Sequence, residues 1–124
     1  MKNMSEIRND VELLVCLVKE YGHVDEILAG FLELGISGAT VVDGRGMGEI
    51  ITRDIPVFSG LRNLFPRGDL HTYVILSLVQ VEVIETAFRL VEEVCGDLSL
   101  PGSGGVFALP VGRNRGFPKQ PPAE

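Results

Sequence analysis

Two glycine-rich segments carry the clearest chemical signal in the chain. Gly44-Arg45-Gly46-Met47-Gly48 alternates glycine where a strand ends, which lets backbone approach a ligand closely. Pro101-Gly102-Ser103-Gly104-Gly105 precedes another strand and offers backbone N–H groups together with the Ser103 hydroxyl. Consecutive amides in such turns form an anion-binding nest. Neither segment is a P-loop, because the Gly-Lys-Ser/Thr ending and the following helix are missing. Taken alone, each reads first as a tight turn.

The arginines point the same way. Six of the eight lie in two segments: Arg45, Arg53, Arg62 and Arg67 between residues 45 and 69, and Arg113 and Arg115 in the tail. A guanidinium group is suited to planar, bidentate recognition of phosphate or carboxylate, so an anionic ligand is the expectation. Catalysis has much less to stand on. His23 and His71 have no carboxylate placed by spacing to orient them, and Gly-x-Ser-x-Gly, HExxH and CxxC patterns are all missing. Glu82, Glu85, Glu92 and Glu93 read as the solvated face of a helix. Cys16 and Cys95 sit in apolar segments without metal-ligand spacing and read as free, buried thiols. The expectation is no catalytic residue and no metal site.

The whole chain narrows the function classes further. A net charge of −6 disfavours nucleic acid as a partner, since phosphate backbones need a concentrated positive surface. The longest apolar run, Leu13 to Val18, is far shorter than a membrane span, and no signal-peptide pattern is visible. A soluble cytoplasmic domain is expected. At 124 residues the chain is one domain that buries about two-thirds of its unfolded surface.

The elements that must hold these segments follow from periodicity. Residues 11–18 are apolar almost throughout, as in a strand buried on both faces. Tyr21-Gly22-His23 ends it. Val24, Ile27, Leu28, Phe31, Leu32 and Leu34 then line one side of a helix, with Asp25 and Glu26 in its first turn and Gly35 as its stop. Ala39 to Asp43 is a second strand, extending towards Ile51. Residues 45–69 form a long loop broken by Gly46, Gly48, Gly60, Gly68, Pro56 and Pro66, with one helical turn from Ser59 to Phe65. Loops of this length are usually functional. Leu70 to Val79 is a third strand, Val81 to Val94 a second helix capped by Gly96, and Val106 to Val111 a fourth strand. A weak repeat at an offset of 59 matches Val24, Glu26 and Glu33 to Val83, Glu85 and Glu92.

Two βαβ halves in one four-stranded antiparallel sheet with both helices on one face make a ferredoxin-like α+β sandwich. It spans residues 1–112, with 113–124 as a flexible tail. The first and third strands are apolar on both faces, and one domain covers only one of them. Oligomerisation is the consequence.

In order along the chain, Gly35-Ile36-Ser37-Gly38-Ala39-Thr40-Val41, Gly46-Met47-Gly48, Phe65-Pro66 and Gly102-Ser103-Gly104-Gly105-Val106-Phe107 resemble the PII nitrogen-regulatory signalling proteins. The resemblance covers residues 11 to 115. It implies a homotrimer whose subunit clefts bind an adenine nucleotide (ATP, ADP or AMP) as an effector, with no cofactor required. Gly35, Ser37 and Gly48 would approach base and ribose, and Gly102, Ser103, Gly104 and Gly105 with Arg113 or Arg115 would meet phosphates. The loop 45–69, with Arg53, Phe58, Arg62 and Arg67, would touch a partner protein. The departures are specific. Glu49, Ile50 and Ile51 stand where the family has a basic residue, Gln and Lys, so the Mg²⁺ and 2-oxoglutarate site is lost. Gly105 replaces the phosphate-loop lysine, and no tyrosine stands in the long loop for uridylylation. A ligand-free assembly trimer and a small ferredoxin-like enzyme are the rival readings.

The loop assignment is directly testable. Limited digestion with trypsin is expected to cut at Arg53, Arg62 or Arg67 before any other site within residues 11–111; first cleavage inside the second helix would contradict it.

Overall fold

The computed structural model describes residues 10–51 and 71–117. The partner-loop residues Arg53, Phe58, Arg62 and Arg67, the turn expected at Ser59 to Phe65, and the tail beyond residue 117 lie outside the described residues.

Strand β1 (Val11–Val18) is followed by helix α1 (Tyr21–Glu33), strand β2 (Thr40–Gly44) and a short helical turn α2 (Met47–Glu49). Strand β3 (Thr72–Gln80), helix α3 (Val81–Cys95) and strand β4 (Gly105–Pro110) complete the described chain. The four strands form one antiparallel sheet in the order β2-β3-β1-β4, the ferredoxin-like topology that the sequence pattern implies.

Register sorts the side chains, because residues directly opposite each other share a face. Cys16 pairs with Ile75 and Val106, and Leu14 with Ser77 and Ala108. These point toward the helices, where Leu14, Cys16, Val18, Ile75 and Val79 close a core with Val24, Ile27 and Phe31 of α1 and Ile84, Ala87 and Val91 of α3. The other face carries Leu13 opposite Leu78 and Leu109, Val15 opposite Leu76 and Phe107, and Val42 opposite Val74. No described helix covers it. Val42, Phe107 and Leu109 are 45%, 48% and 40% exposed.

Two boundaries differ from the sequence expectation. Helix α1 begins at Tyr21, so Asp25 and Glu26 lie beyond its first turn. At this start the Tyr21 ring packs edge-on against Tyr73 of β3 at 5.4 Å, and the first turn closes locally as the His23 amide donates to the Glu20 carbonyl. Strand β2 stops at Gly44 instead of running on to Ile51. Gly46 leads into the turn α2, and the Ile50 amide donates to the Gly46 carbonyl at 3.1 Å. The third helical element follows from that local closure.

The internal repeat is real, but its helical offset is 60. Counting from Tyr21 and from Val81, the pattern of buried and exposed positions is identical over the thirteen residues of α1. Val24, Ile27 and Phe31 thus correspond to Ile84, Ala87 and Val91. The offset of 59 aligned solvent-facing glutamates, which carry no packing information. The helices touch at one equivalent position: a β-carbon at Gly30 would lie 2.6 Å from the Leu90 methyls.

Cys16 is fully buried, and desolvation, with the charge of Cys95 second, pushes its thiol up to about 12. The Cys95 thiol is also raised, by burial first and then by Glu20 and Glu26, and it is only half-buried. A thiol-specific reagent at pH 8 is therefore expected to label Cys95 alone in the native protein and both thiols in denaturant, because the thiolate is the reacting form. Rapid native labelling of both would refute this core placement.

Candidate functional site

The two glycine segments, far apart in sequence, lie at the same end of the sheet but on its opposite edge strands, with β3 and β1 between them. Gly44 pairs with Thr72, and a β-carbon on Gly44 would come 3.1 Å from the Thr72 carbonyl oxygen. On the other side of β3, the Lys19 ammonium group donates to Thr72 Oγ1 at 2.8 Å. Gly104 lies against the same strand end. A β-carbon there would overlap the Leu17 carbonyl oxygen and sit 3.9 Å from Lys19 Cγ. Thr72 and Lys19 therefore bridge the base of the Gly44–Gly48 turn to the Gly102–Gly105 loop.

The loop is shaped by its own bonds. Gly102 and Gly104 take φ values of +75° and +101°, a backbone that glycine adopts without strain, while Ser103 does not. Leu100 and Ser103 close a turn, with both the Ser103 amide and its hydroxyl donating to the Leu100 carbonyl, at 3.3 and 2.6 Å. The hydroxyl proton is thus already committed within the loop. Upstream, the Asp97 carboxylate accepts from the Ser99 hydroxyl and amide, which hold its pKa below the ordinary aspartate value. Gly48 is buried within the α2 turn, where Arg45 Nε and Glu49 Oε2 approach to 3.9 Å.

The remaining sequence-derived candidates lie elsewhere. Gly35, with φ +83°, ends α1 at the opposite end of the sheet, and Ser37 is exposed just after it. The segment is tied down where Ser77 Oγ donates to the Gly38 carbonyl at 2.5 Å. Arg113 and Arg115 also leave from that far end, because Gly105 pairs with Leu17 whereas Pro110 pairs with Glu12. The intervening strand spans roughly 17 Å at the usual rise per residue. One protomer therefore divides the candidate set: Gly48 and Gly102 to Gly105 at the near end, Gly35, Ser37, Arg113 and Arg115 at the far end.

Sequence reasoning missed Lys19, Thr72 and the aromatic neighbours of His71. His71 packs on Tyr73 with ring centroids 4.6 Å apart, and its Nε2 is buried without a hydrogen-bond partner among the described residues. Lys19 and Thr72 are 53 residues apart. No local spacing pairs them; only the β1–β3 register does. Among the described residues, no group of His, Cys, Asp or Glu is arranged to hold a metal ion, and no helix is long and apolar enough to cross a membrane.

No protein-family model and no curated protein matches the chain. Among solved structures, the fold is similar to the crystal structure of Arabidopsis thaliana PII bound to citrate, with a TM-score of 0.57 and 21% sequence identity. The match covers 83% of this chain and 78% of that one. At this identity the likeness establishes a shared PII-like fold.

The Gly104 contact yields a sharp test. Gly104→Ala places a methyl group against the Leu17 carbonyl at a left-handed backbone position and is expected to cost about 2 kcal/mol or more. Gly105→Ala, with open space around the added carbon, is expected to stay within about 0.5 kcal/mol. Denaturant melts of the two variants make the comparison; equal stability would remove the tight contact.

Proposed function

We propose that this protein is a cytoplasmic PII-like signalling trimer. It binds an adenine nucleotide between subunits and regulates a partner protein through the loop 45–69. The observation that carries this reading is that the Gly44–Gly48 turn and the Gly102–Gly105 loop lie at the same end of the sheet, linked across it by Thr72 and Lys19. Glycine-rich backbone flanking a lysine in this way suits a phosphate group better than a nucleophile and its base. The solved neighbour is bound to citrate, a small polyanion, which supports an anionic effector.

The split of the candidate residues supports a site shared between copies. Gly102 to Gly105 of one protomer supply phosphate contacts, with Gly48 of the same protomer approaching base and ribose. Gly35 and Ser37 of the next protomer complete the base and ribose contacts, and its Arg113 or Arg115 adds charge to the phosphates. The helix-free sheet face, with Val42, Phe107 and Leu109 exposed, supplies the apolar area that such an assembly buries. Regulation then arises from differential contact. A ligand that binds one arrangement of the Gly44–Gly48 turn better shifts the population of the loop that this turn begins, and with it Arg53, Phe58, Arg62 and Arg67.

Light scattering coupled to size exclusion, followed by calorimetric titration with ATP, ADP and AMP, tests the reading. A homotrimer that binds a nucleotide is expected, with no tightening by Mg²⁺ and 2-oxoglutarate, since Ile50 and Ile51 offer no oxygen or ammonium group. A monomer would overturn the assembly. A trimer silent to every nucleotide at millimolar concentration would leave a ligand-free assembly protein.

A further inference from the structure

The glycine loop has a shape for an anion but no charge of its own. Residues 100–105 contain no ionisable side chain, and the Ser103 hydroxyl already donates to the Leu100 carbonyl. Arg113 and Arg115 leave from the other end of β4. The cation that the fold lays against this loop is Lys19. Its aliphatic stem runs beside Gly104, where even a β-carbon would be within 3.9 Å of Lys19 Cγ. Its ammonium group reaches Thr72 Oγ1 at 2.8 Å, and Thr72 is itself 9% exposed. The neighbouring carboxylate, Glu20, is turned to His23 at 3.8 Å.

We propose that Lys19 is the phosphate-binding cation of the glycine-loop site, with the Thr72 hydroxyl holding its ammonium group in position. This rests on the nucleotide-binding reading and names the residue that supplies its charge. Lys19 stands one residue past the end of β1, flanked by the loop on one side and by Thr72, which backs onto Gly44, on the other. A phosphate cradled by the loop amides meets an ammonium group whose stem is packed and whose head is anchored on Thr72. The partly buried setting strengthens that contact relative to an exposed lysine. The same arrangement couples phosphate occupancy to the Gly44–Gly48 turn through Thr72, so the residue that binds the ligand also touches β3, which follows the regulatory loop and pairs with Gly44 at its start.

Lys19→Met keeps the stem and removes the charge, while Lys19→Arg keeps the charge. Calorimetry of both full-length variants against ATP, ADP, adenosine and sodium pyrophosphate, with thermal melts to check folding, tests the assignment. Lys19→Met is expected to weaken ATP and ADP by about ten- to hundredfold, the effect of losing one charge-assisted contact. Adenosine binding is expected to change less than twofold, and Lys19→Arg to recover most of the loss. Independently of any variant, saturating ATP is expected to protect Lys19 of the wild-type protein from amine acetylation relative to the ligand-free protein. Unchanged ATP affinity in a folded Lys19→Met variant, or no protection of Lys19, would overturn the assignment and leave nucleotide binding standing. If the wild type binds no nucleotide, the nucleotide reading fails, and pyrophosphate decides Lys19. Pyrophosphate binding lost in Lys19→Met supports it; pyrophosphate silent on the wild type overturns both.

Discussion

A four-stranded sheet has two faces, and the two long helices of this chain lie on the same one. The rest of the molecule is arranged around that constraint. β1 and β3 sit in the middle of the sheet and are apolar at nearly every position, so alternation sends half of their side chains to each side. On one side Leu14, Cys16, Ile75 and Val79 meet Ile27, Phe31, Ala87 and Val91 and are sealed from water. On the other, Leu13, Leu17, Val74, Leu76 and Leu78 are only partly buried by their neighbours on the sheet. Val15, flanked by Leu76 and Phe107, is buried, at 7% exposure. The uncovered face is what makes assembly a physical requirement of the proposed reading, beyond any likeness of form.

The same sheet also sets where chemistry is possible. Its antiparallel register brings the end of β1, the start of β3 and the start of β4 to one end, and the end of β2 joins them through Gly44 and Thr72. Glycine at 104 is required there because the loop backbone rests directly on the Leu17 carbonyl, with no room for a side chain between them. Close packing of backbone on backbone fixes the loop against Lys19. Lys19, the glycine loop and the end of β2 are thereby held at one end of the sheet by hydrogen-bonded strands. In the proposed reading, a ligand bound there acts on the Gly44–Gly48 turn through Thr72.

The two halves of the molecule repeat one plan with selective departures. Gly30 and Leu90 occupy the same position in their helices, and the missing side chain of one accommodates the bulk of the other. Cys16 in β1 and Ser77 in β3 both face the helices from buried places. The first is desolvated enough to suppress its ionisation, whereas the second spends its hydroxyl on the Gly38 carbonyl. A pseudo-symmetric frame thus keeps its packing positions while polar duties diverge. β1 is followed by a lysine that reaches sideways to β3, and β3 ends in a glutamine that enters α3 directly.

By itself the sequence determined the class of fold, the strand and helix order and the apolar double face. These properties come from the period of hydrophobic residues within ten or fifteen positions, which hydrophobic burial enforces wherever the chain goes. It also marked both glycine segments, although each, taken alone, reads first as a tight turn. Tertiary structure decided the rest. At the start of α1 Tyr21 meets Tyr73, and β2 ends at a turn closing through Gly46 and Ile50. The correct repeat offset appears only when burial replaces residue identity as the thing compared. Lys19 could not be singled out in the sequence, since a lone lysine after a strand is ordinary. Its meaning comes from Thr72 at 2.8 Å and Gly104 alongside, contacts between segments that only strand register brings together.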